Sequence, residues 1–233
     1  MSIGHQNISS ASESVINKLN SLCLDYKDSR LSHVFSLIPG AAPISAWLTG
    51  HATEIQIRRI ETLLIEIERR LDHHVNTIGT EWNNEALHDL VIMTVEASIK
   101  AKEQDKIALL ANGFSQGIKG EISVDETAVA IEIIANLQAV DIRLLSLAVK
   151  APQQNSVERV FFVPDTPEAT HDGVLSASHM LPDIPLPLLL NAASHLHAKG
   201  LLRDTAMGKL TGSPHPLWAP SLLADWLVNK VLS

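Results

Sequence analysis

The longest regular pattern of apolar residues in the chain lies within residues 53–78. Its apolar side chains recur at intervals of three and four residues, which places them on one stripe of an α-helix, at Ile57, Ile60, Leu64, Ile67, Leu71 and Ile78. Leu63 and Ile65 fall outside this stripe and widen the apolar surface. The pattern therefore predicts a long helix inside an intramolecular bundle, with dimerisation through this helix as the alternative.

A second helix is predicted over residues 84–118, where small and apolar residues recur on one side and would allow close packing against the first helix. Its middle, residues 100–106, is highly charged, which is typical of a solvated face. Gly117 and Gly120 mark its C-terminal end.

Two shorter helices are predicted to follow. Ser123 and Glu126 have the spacing of a capping box, in which the hydroxyl and the carboxylate accept each other's unpaired backbone donors. A third helix is therefore expected to start at Ser123 and to stop near Leu137. Asp141 is expected to cap a further helix over residues 142–149.

The first 53 residues contain an unusual uncharged segment. Residues 1–30 predict a polar tail and a short amphipathic helix, whereas residues 31–53 contain no Asp, Glu, Lys or Arg. Prolines interrupt this segment, so two short apolar stretches are favoured over one helix. We expect a buried connection against the long helix. The alternative is an apolar segment that enters a membrane or a partner, with candidate insertion residues Ile38, Pro39, Gly40, Ile44, Trp47 and Leu48.

The pattern changes after residue 150, because six of the eleven prolines fall within residues 151–187. Residues 157–163, VERVFFV, are the best strand candidate, and residues 164–187 are expected to form a proline-rich loop. Helix resumes at Leu186 and ends at Gly200. We then predict a strand over residues 201–203, a flexible tip over residues 204–216, and a closing amphipathic helix from Ser221. Its core-facing residues would be Leu222, Leu223, Trp226, Leu227, Val231 and Leu232.

Composition narrows the class of protein. Hydrophobic residues make up 45% of the chain and charged residues 19%, which is an ordinary globular balance, and scarce aromatic residues favour helices built on Ala, Leu and Ile. The net charge of −8 argues against general nucleic-acid binding, which requires Lys and Arg. Cys23 is the only cysteine, and residues 1–20 lack the apolar core of an export signal. We therefore predict a cytoplasmic protein.

Catalytic chemistry finds no support in the residue patterns. The chain has no P-loop or dinucleotide fingerprint, and we find no anchor for a nucleophile paired with a base. The closest histidine groupings are poor candidates for a metal site, because adjacent or i,i+2 histidines on a helix point in different directions. These are His73, His74, His88, His195 and His197. We predict a non-enzymatic protein without metal, cofactor or small-molecule substrate.

A candidate interaction surface lies on the helix predicted from Leu186, at Asn191, Ser194, His195, His197 and Lys199. It carries one fixed positive charge, and residues 141–233 contain seven basic against eight acidic residues. DNA-reading modules are usually distinctly basic. We therefore favour a protein partner or self-association over DNA.

From Asp141 onward the predicted order is helix, strand, helix, strand, glycine-bearing tip and final helix. This order resembles a winged-helix domain, and AASHLHAKGLLRD resembles a recognition helix that leads into a wing. Upstream, the segments IPGAAPISAWLTG, RRIETLLIEIERRL and KAKEQDKIALLANGFSQG resemble bacterial helical proteins akin to the abortive-infection alpha family. The resemblance covers about residues 35–233. The proline-rich loop and the tip LTGSPHPLW depart from the family's pattern.

This resemblance implies a helical region followed by a winged-helix-like region and a role in phage defence, and it carries no functional residues to transfer. The fold class expected is mainly α with a small β component. The expected parts are a tail and short helix over residues 1–30, a helical bundle over 31–138 and a winged-helix-like α+β domain over 139–233. The function expected is a non-enzymatic effector that acts by protein contact. The alternatives are a DNA-binding transcriptional regulator and a membrane-acting effector that uses residues 31–53.

Overall fold

The structure is a computed structural model that describes residues 54–71, 84–150, 160–164, 174–205 and 216–232. These residues are mainly helical, with a small mixed sheet of four short strands, as the fold class predicts. The chain divides into two compact units, Met1–Asn136 and Leu137–Ser233. We call them the N-terminal unit and the C-terminal unit.

The described part of the N-terminal unit is a helical bundle in which α3 is central. This helix packs against α1, α2 and α4, and α2 also packs against α1 and α4. The second half of α3 is buried on most sides, as expected of a helix that is enclosed by others. The helices are α1 Glu54–Leu71, α2 Asn84–Lys100, α3 Gln104–Ile118 and α4 Val124–Asn136.

The apolar stripe predicted for the long helix is confirmed over the described part of α1. Ile60, Leu64, Ile67 and Leu71 are all buried. Leu63, which lies beside the stripe, is also buried, whereas 45% of Ile65 is exposed. Residues 53 and 72–78 of this predicted helix lie outside the described residues.

The prediction of one helix over residues 84–118 is wrong. Helix α2 ends at Lys100 and α3 begins at Gln104, with Glu103 in an extended conformation between them. Ala101 is buried whereas Lys102 and Glu103 are exposed, so the middle of the charged run lies at a solvated corner between the two helices. The apolar spacing continues across the break because both helices face the same core.

The predicted capping box at the start of α4 is confirmed. The backbone N–H of Ser123 donates to Glu126 Oε2 at 2.7 Å, and the N–H of Glu126 donates to Ser123 Oγ at 3.2 Å. These bonds satisfy two of the donors that a helix start leaves unpaired. Helix α4 ends at Asn136, close to the predicted stop near Leu137.

Basic side chains close the C-terminal ends of two helices in this unit. Arg59 donates to the carbonyl of Ile99 at 2.5 Å, near the end of α2. Lys106 donates to the carbonyl of Ala135 at 2.7 Å, near the end of α4. Carbonyls in a last helical turn lack intrahelical partners and lie at the negative end of the helix dipole, so a cation is stabilising there.

A third basic side chain, Arg70, ties α1 to α3. It donates to Asn112 Oδ1 on α3 and to the carboxylate of Glu66 on its own helix. The hydrogen bond from Arg70 lowers the pKa of Glu66, with a further contribution from Arg69.

The C-terminal unit surrounds a small sheet with helices. The strand order is β2-β1-β4-β3, in which β1 runs parallel to β2 and antiparallel to β4, and β3 runs antiparallel to β4. Helix α5 packs against α7. In chain order the elements are α5 Ala139–Lys150, β1 Phe161–Phe162, β2 Leu175–Ser176, α6 Ala177–Met180, α7 Leu186–Ala198, β3 Leu202–Asp204, β4 Leu217–Pro220, α8 Leu222–Leu227 and a π-helical continuation Val228–Leu232.

Some expectations for this unit need correction. The predicted proline-rich loop over residues 164–187 contains a short strand, β2, and a short helix, α6. Helix α5 begins at Ala139, three residues earlier than predicted, so Asp141 lies inside its first turn instead of preceding the helix. In the closing helix, 88% of Leu222 is exposed, so its predicted docking on the core is wrong, whereas Leu227 and Val231 are buried.

Gly117 allows α3 and α4 to approach closely because it has no side chain. A Cβ at this position would overlap the side chain of Thr127 on α4, with Thr127 Cγ2 only 2.8 Å away. We expect Gly117→Ala to lower the free energy of unfolding by about 1–3 kcal/mol, the usual cost of overpacking a core. Denaturant titration followed by circular dichroism measures this loss.

The matched background is Thr127→Ala, which removes the two closest atoms. Because the clash is specific, Gly117→Ala should cost at least about 1 kcal/mol less in that background than in the wild-type chain. An equal cost in the two backgrounds would show that this contact does not limit the approach of the helices.

Candidate interaction surface

Four of the five candidate surface residues lie on helix α7, and the fifth, Lys199, directly follows its last residue. Its buried stripe of Leu189, Ala192, Ala193 and Leu196 agrees with the sequence pattern. Two backbone bonds close its C-terminal end, from Gly200 N–H to the carbonyl of His197 and from Leu201 N–H to that of Leu196. Gly200 has a φ of 72°, a conformation that glycine adopts without steric cost.

The five predicted surface residues fall into two groups. All of them except the half-buried His195 are exposed, and Asn191, Ser194 and Lys199 form the first group. His195 and His197 instead bond within the unit: His195 Nδ1 lies 2.8 Å from Asp141 Oδ2, and His197 Nδ1 lies 3.0 Å from the carbonyl oxygen of Leu202. The His197 ring also lies 5.1 Å from the ring of Trp218. Both histidines therefore help to position α7.

Asp141 is the buried partner in this arrangement, with 2% of the residue exposed. Besides contacting His195, its Oδ2 accepts the backbone N–H of Gln138 at 2.7 Å. A buried carboxylate is costly unless it is hydrogen-bonded or paired. The contact thus joins the first turn of α5 to the last turn of α7.

A second contact joins α5 to the turn before α7 at the surface. Arg143 donates two hydrogen bonds to the carboxylate of Asp183, at 2.6 and 2.8 Å. These bonds lower the pKa of Asp183 and raise that of Arg143. Because both side chains are exposed, the pair contributes little to the stability of the fold. We assign it a role in orienting the turn before α7 relative to α5.

The outward side of α7 is partly apolar, which sequence reasoning missed. We define the α7 outer face as Pro187, Leu188, Asn191, Ser194 and Ala198, all of which are exposed. Leu188 is 48% exposed, and Met180 at the end of α6 is 53% exposed. Helical spacing could have indicated this exposure, since Leu188 lies about 100° around the helix from the buried Leu189.

Sequence reasoning also overlooked a catalytic motif. Residues 113–117 read GFSQG, which matches the Gly-x-Ser-x-Gly pattern of the nucleophile elbow of hydrolases. The elbow requires a sharp strand-to-helix turn that exposes the serine. Here Ser115 lies inside helix α3, is 1% exposed, and its Oγ has no hydrogen-bond partner. The motif is therefore part of helix packing.

Among the described residues, no group of three His, Cys, Asp or Glu side chains could hold a metal ion, and no helix is long and apolar enough to cross a membrane. His73, His74, the side chain of His88 and the whole of residues 31–53 lie outside what the structure describes. The predicted insertion segment therefore stays a prediction.

Comparison of the chain with protein-family models, with curated proteins and with solved structures finds no match in any of the three. The resemblance to the abortive-infection alpha family accordingly stays a prediction. What the described residues define is a mainly helical protein whose C-terminal unit presents one helix face held in place by a buried carboxylate.

The contact between Asp141 and His195 can be tested through stability. His195→Ala leaves the buried carboxylate with one partner fewer, so we expect the free energy of unfolding to fall by about 1–3 kcal/mol. Ser194→Ala is the matched control, because Ser194 Oγ is exposed and donates only to Leu190 on its own helix. Chemical denaturation of the purified variants measures both.

The control should change stability by less than about 0.5 kcal/mol. Adding His195→Ala to an Asp141→Asn background should cost less than it does in the wild-type chain, because the charge that it strands is absent. A His195→Ala variant as stable as Ser194→Ala would contradict the positioning role.

Proposed function

We propose that this chain is a non-enzymatic interaction protein and that its C-terminal unit is a winged-helix-like module working through protein contacts. The order of elements supports the comparison with a winged helix: α5, β1, α6, α7, β3 and β4 follow one another along the chain. Strand β4 lies between β1 and β3 and is antiparallel to both. Strand β2, which is parallel to β1, is an addition to that pattern.

The observation that carries the proposal is the chemistry of the α7 outer face. It is exposed, contains no charged residue, and includes Leu188 as a large apolar side chain. The centre of a protein–protein interface is depleted of charge and contains apolar anchors. This face fits that description.

DNA binding is the rival function for the same helix. Asn191 and Ser194 have side chains that can bond to base edges. Affinity for DNA, however, depends on Lys and Arg at the phosphates, and Lys199 is the one fixed cation at the end of α7. The intramolecular bonds of His195 and His197 also occupy one nitrogen of each ring. These features favour a protein partner.

A role in bacterial phage defence is included in this proposal on the strength of the resemblance described above, and a cytoplasmic location on the strength of the sequence. Neither is needed for the contact itself. The test of the contact can therefore be made independently of any assay of infection.

Site-specific photocrosslinking tests the proposed contact directly. A photoreactive amino acid replaces Leu188 or Asn191 in the full chain, which is expressed in bacteria and irradiated with and without phage infection. We expect crosslinked protein adducts from both positions, since both lie on the α7 outer face, and mass spectrometry identifies what is attached.

The matched control is the same amino acid at Leu222, which is 88% exposed and lies on α8 of the same unit. Adducts should be at least about tenfold weaker there, since hot-spot contacts concentrate in a small part of a surface. Crosslinks to DNA from positions 188 and 191, or equal protein adducts from position 222, would overturn the proposal.

A further inference from the structure

The corner between α2 and α3 is made of residues that favour a helix. Residues 100–106 read KAKEQDK, and all of them except Asp105 belong to the residue types with the highest helix propensity. No glycine, proline or asparagine lies in this run. The chain nevertheless leaves the helical conformation here, since α2 ends at Lys100 and Glu103 is extended, with φ of −115° and ψ of 138°. Packing therefore imposes the break against the local sequence preference.

The corner also interrupts the backbone hydrogen bonds. A continuous helix would add four bonds, from the N–H groups of residues 102–105 to the carbonyls of residues 98–101. None of these bonds is made in residues 98–105, all of which the structure describes. The side chain of Glu103, which precedes α3, does not cap the start of that helix. A straight corner would therefore gain backbone bonds that the bent corner lacks.

Arg59 of α1 stabilises the corner in its bent form. Its guanidinium donates to the carbonyl of Ile99 at 2.5 Å. In a continuous helix that carbonyl would accept the N–H of Glu103, four residues later. Arg59 thus replaces one of the missing bonds, and a straight helix would not need this replacement.

The corner divides the bundle into two halves. We call α1 with α2 the first half and α3 with α4 the second half. The most extensive contact of α1 is with α3, and that of α2 is with α4, so each half is covered mainly by the other. Straightening the corner separates the halves and uncovers buried side chains such as Ile60 and Leu64 of α1. The second half of another copy offers these side chains an identical cover.

We infer that residues 101–103 are a hinge that straightens into one helix over residues 84–118, and that two copies of the chain then exchange their first halves. In the exchanged dimer, the first half of each copy packs on the second half of the other. The contacts outside the hinge are then the same as in the monomer, which makes exchange a low-cost route to a dimer. The inference concerns the N-terminal unit and does not rest on the proposed contact of α7.

Refolding of the full chain at low and at high protein concentration, followed by size-exclusion chromatography with light scattering, tests the inference. Exchange requires the halves to separate, so dimers form during refolding at high concentration, whereas refolding at low concentration gives monomers. Arg59→Met raises the dimer-to-monomer ratio at a given concentration by at least about tenfold, because the Ile99 carbonyl then lacks a partner in the bent form but not in the straight form.

Gln104→Pro should prevent exchange without disturbing the monomer. Gln104 is the first residue of α3, a position that suits proline, and the extended Glu103 before it is compatible with a following proline. The same proline inside a continuous helix would break that helix. We expect this variant to be monomeric at every concentration, whereas Gln104→Ala, the matched control, dimerises like the wild-type chain.

Circular dichroism establishes that these variants are folded. Should Gln104→Pro fail to fold, Lys102→Gly takes its place, because Lys102 is exposed and glycine in a helix interior disfavours a continuous helix. This variant should form fewer dimers than the wild-type chain at the same concentration.

A photoreactive amino acid at Asn112 distinguishes exchange from a contact between surfaces. Asn112 lies on α3, and its Oδ1 is 3.3 Å from Nε of Arg70 on α1. Irradiation of the monomer therefore attaches position 112 to α1 of the same chain, whereas irradiation of the exchanged dimer joins two chains. Dimers whose adducts stay within one chain, dimers that Gln104→Pro retains, or wild-type and Arg59→Met chains that both stay monomeric at high concentration would overturn the inference.

Discussion

The buried carboxylate of Asp141 is the constraint on which the placement of α7 depends. One oxygen accepts a hydrogen bond from the backbone N–H of Gln138 and lies beside the ring of His195, so the start of α5 and the end of α7 share one polar contact. Apolar packing is not directional, whereas a hydrogen-bonded carboxylate permits little displacement. Together with the buried apolar stripe of α7, this contact holds the helix with an uncharged side outward, on which Leu188 is exposed.

Different contacts hold each of the two units together. In the N-terminal unit, the close approach of two helices at Gly117 and the basic side chains at helix ends hold the four helices together. In the C-terminal unit, His195 and His197 each bond within the fold, and the α7 outer face is exposed.

Local signals predicted the elements that depend on local chemistry. The capping box at Ser123 and the apolar stripe of α7 both appear where the sequence places them, because each is encoded by residues three or four positions apart. Contacts distant in sequence were not predictable in this way. The break after Lys100, the helices and strands within 164–187 and the pairing of Asp141 with a residue 54 positions away depend on tertiary packing. The GFSQG motif is the opposite case. Its residue pattern matches a nucleophile elbow, but these residues lie inside helix α3 and do not form the strand-to-helix turn that an elbow requires.

The most direct test of the central claim, that α7 serves protein contact rather than DNA reading, is fluorescence anisotropy of labelled duplex DNA titrated with the full chain. Pooled genomic fragments at about 0.1 M salt would be used, a condition under which phosphate contacts still contribute strongly. The account predicts no saturable rise in anisotropy, and no difference between the wild-type chain and an Asn191→Ala, Lys199→Ala variant. Saturable binding that this double substitution removes would contradict it.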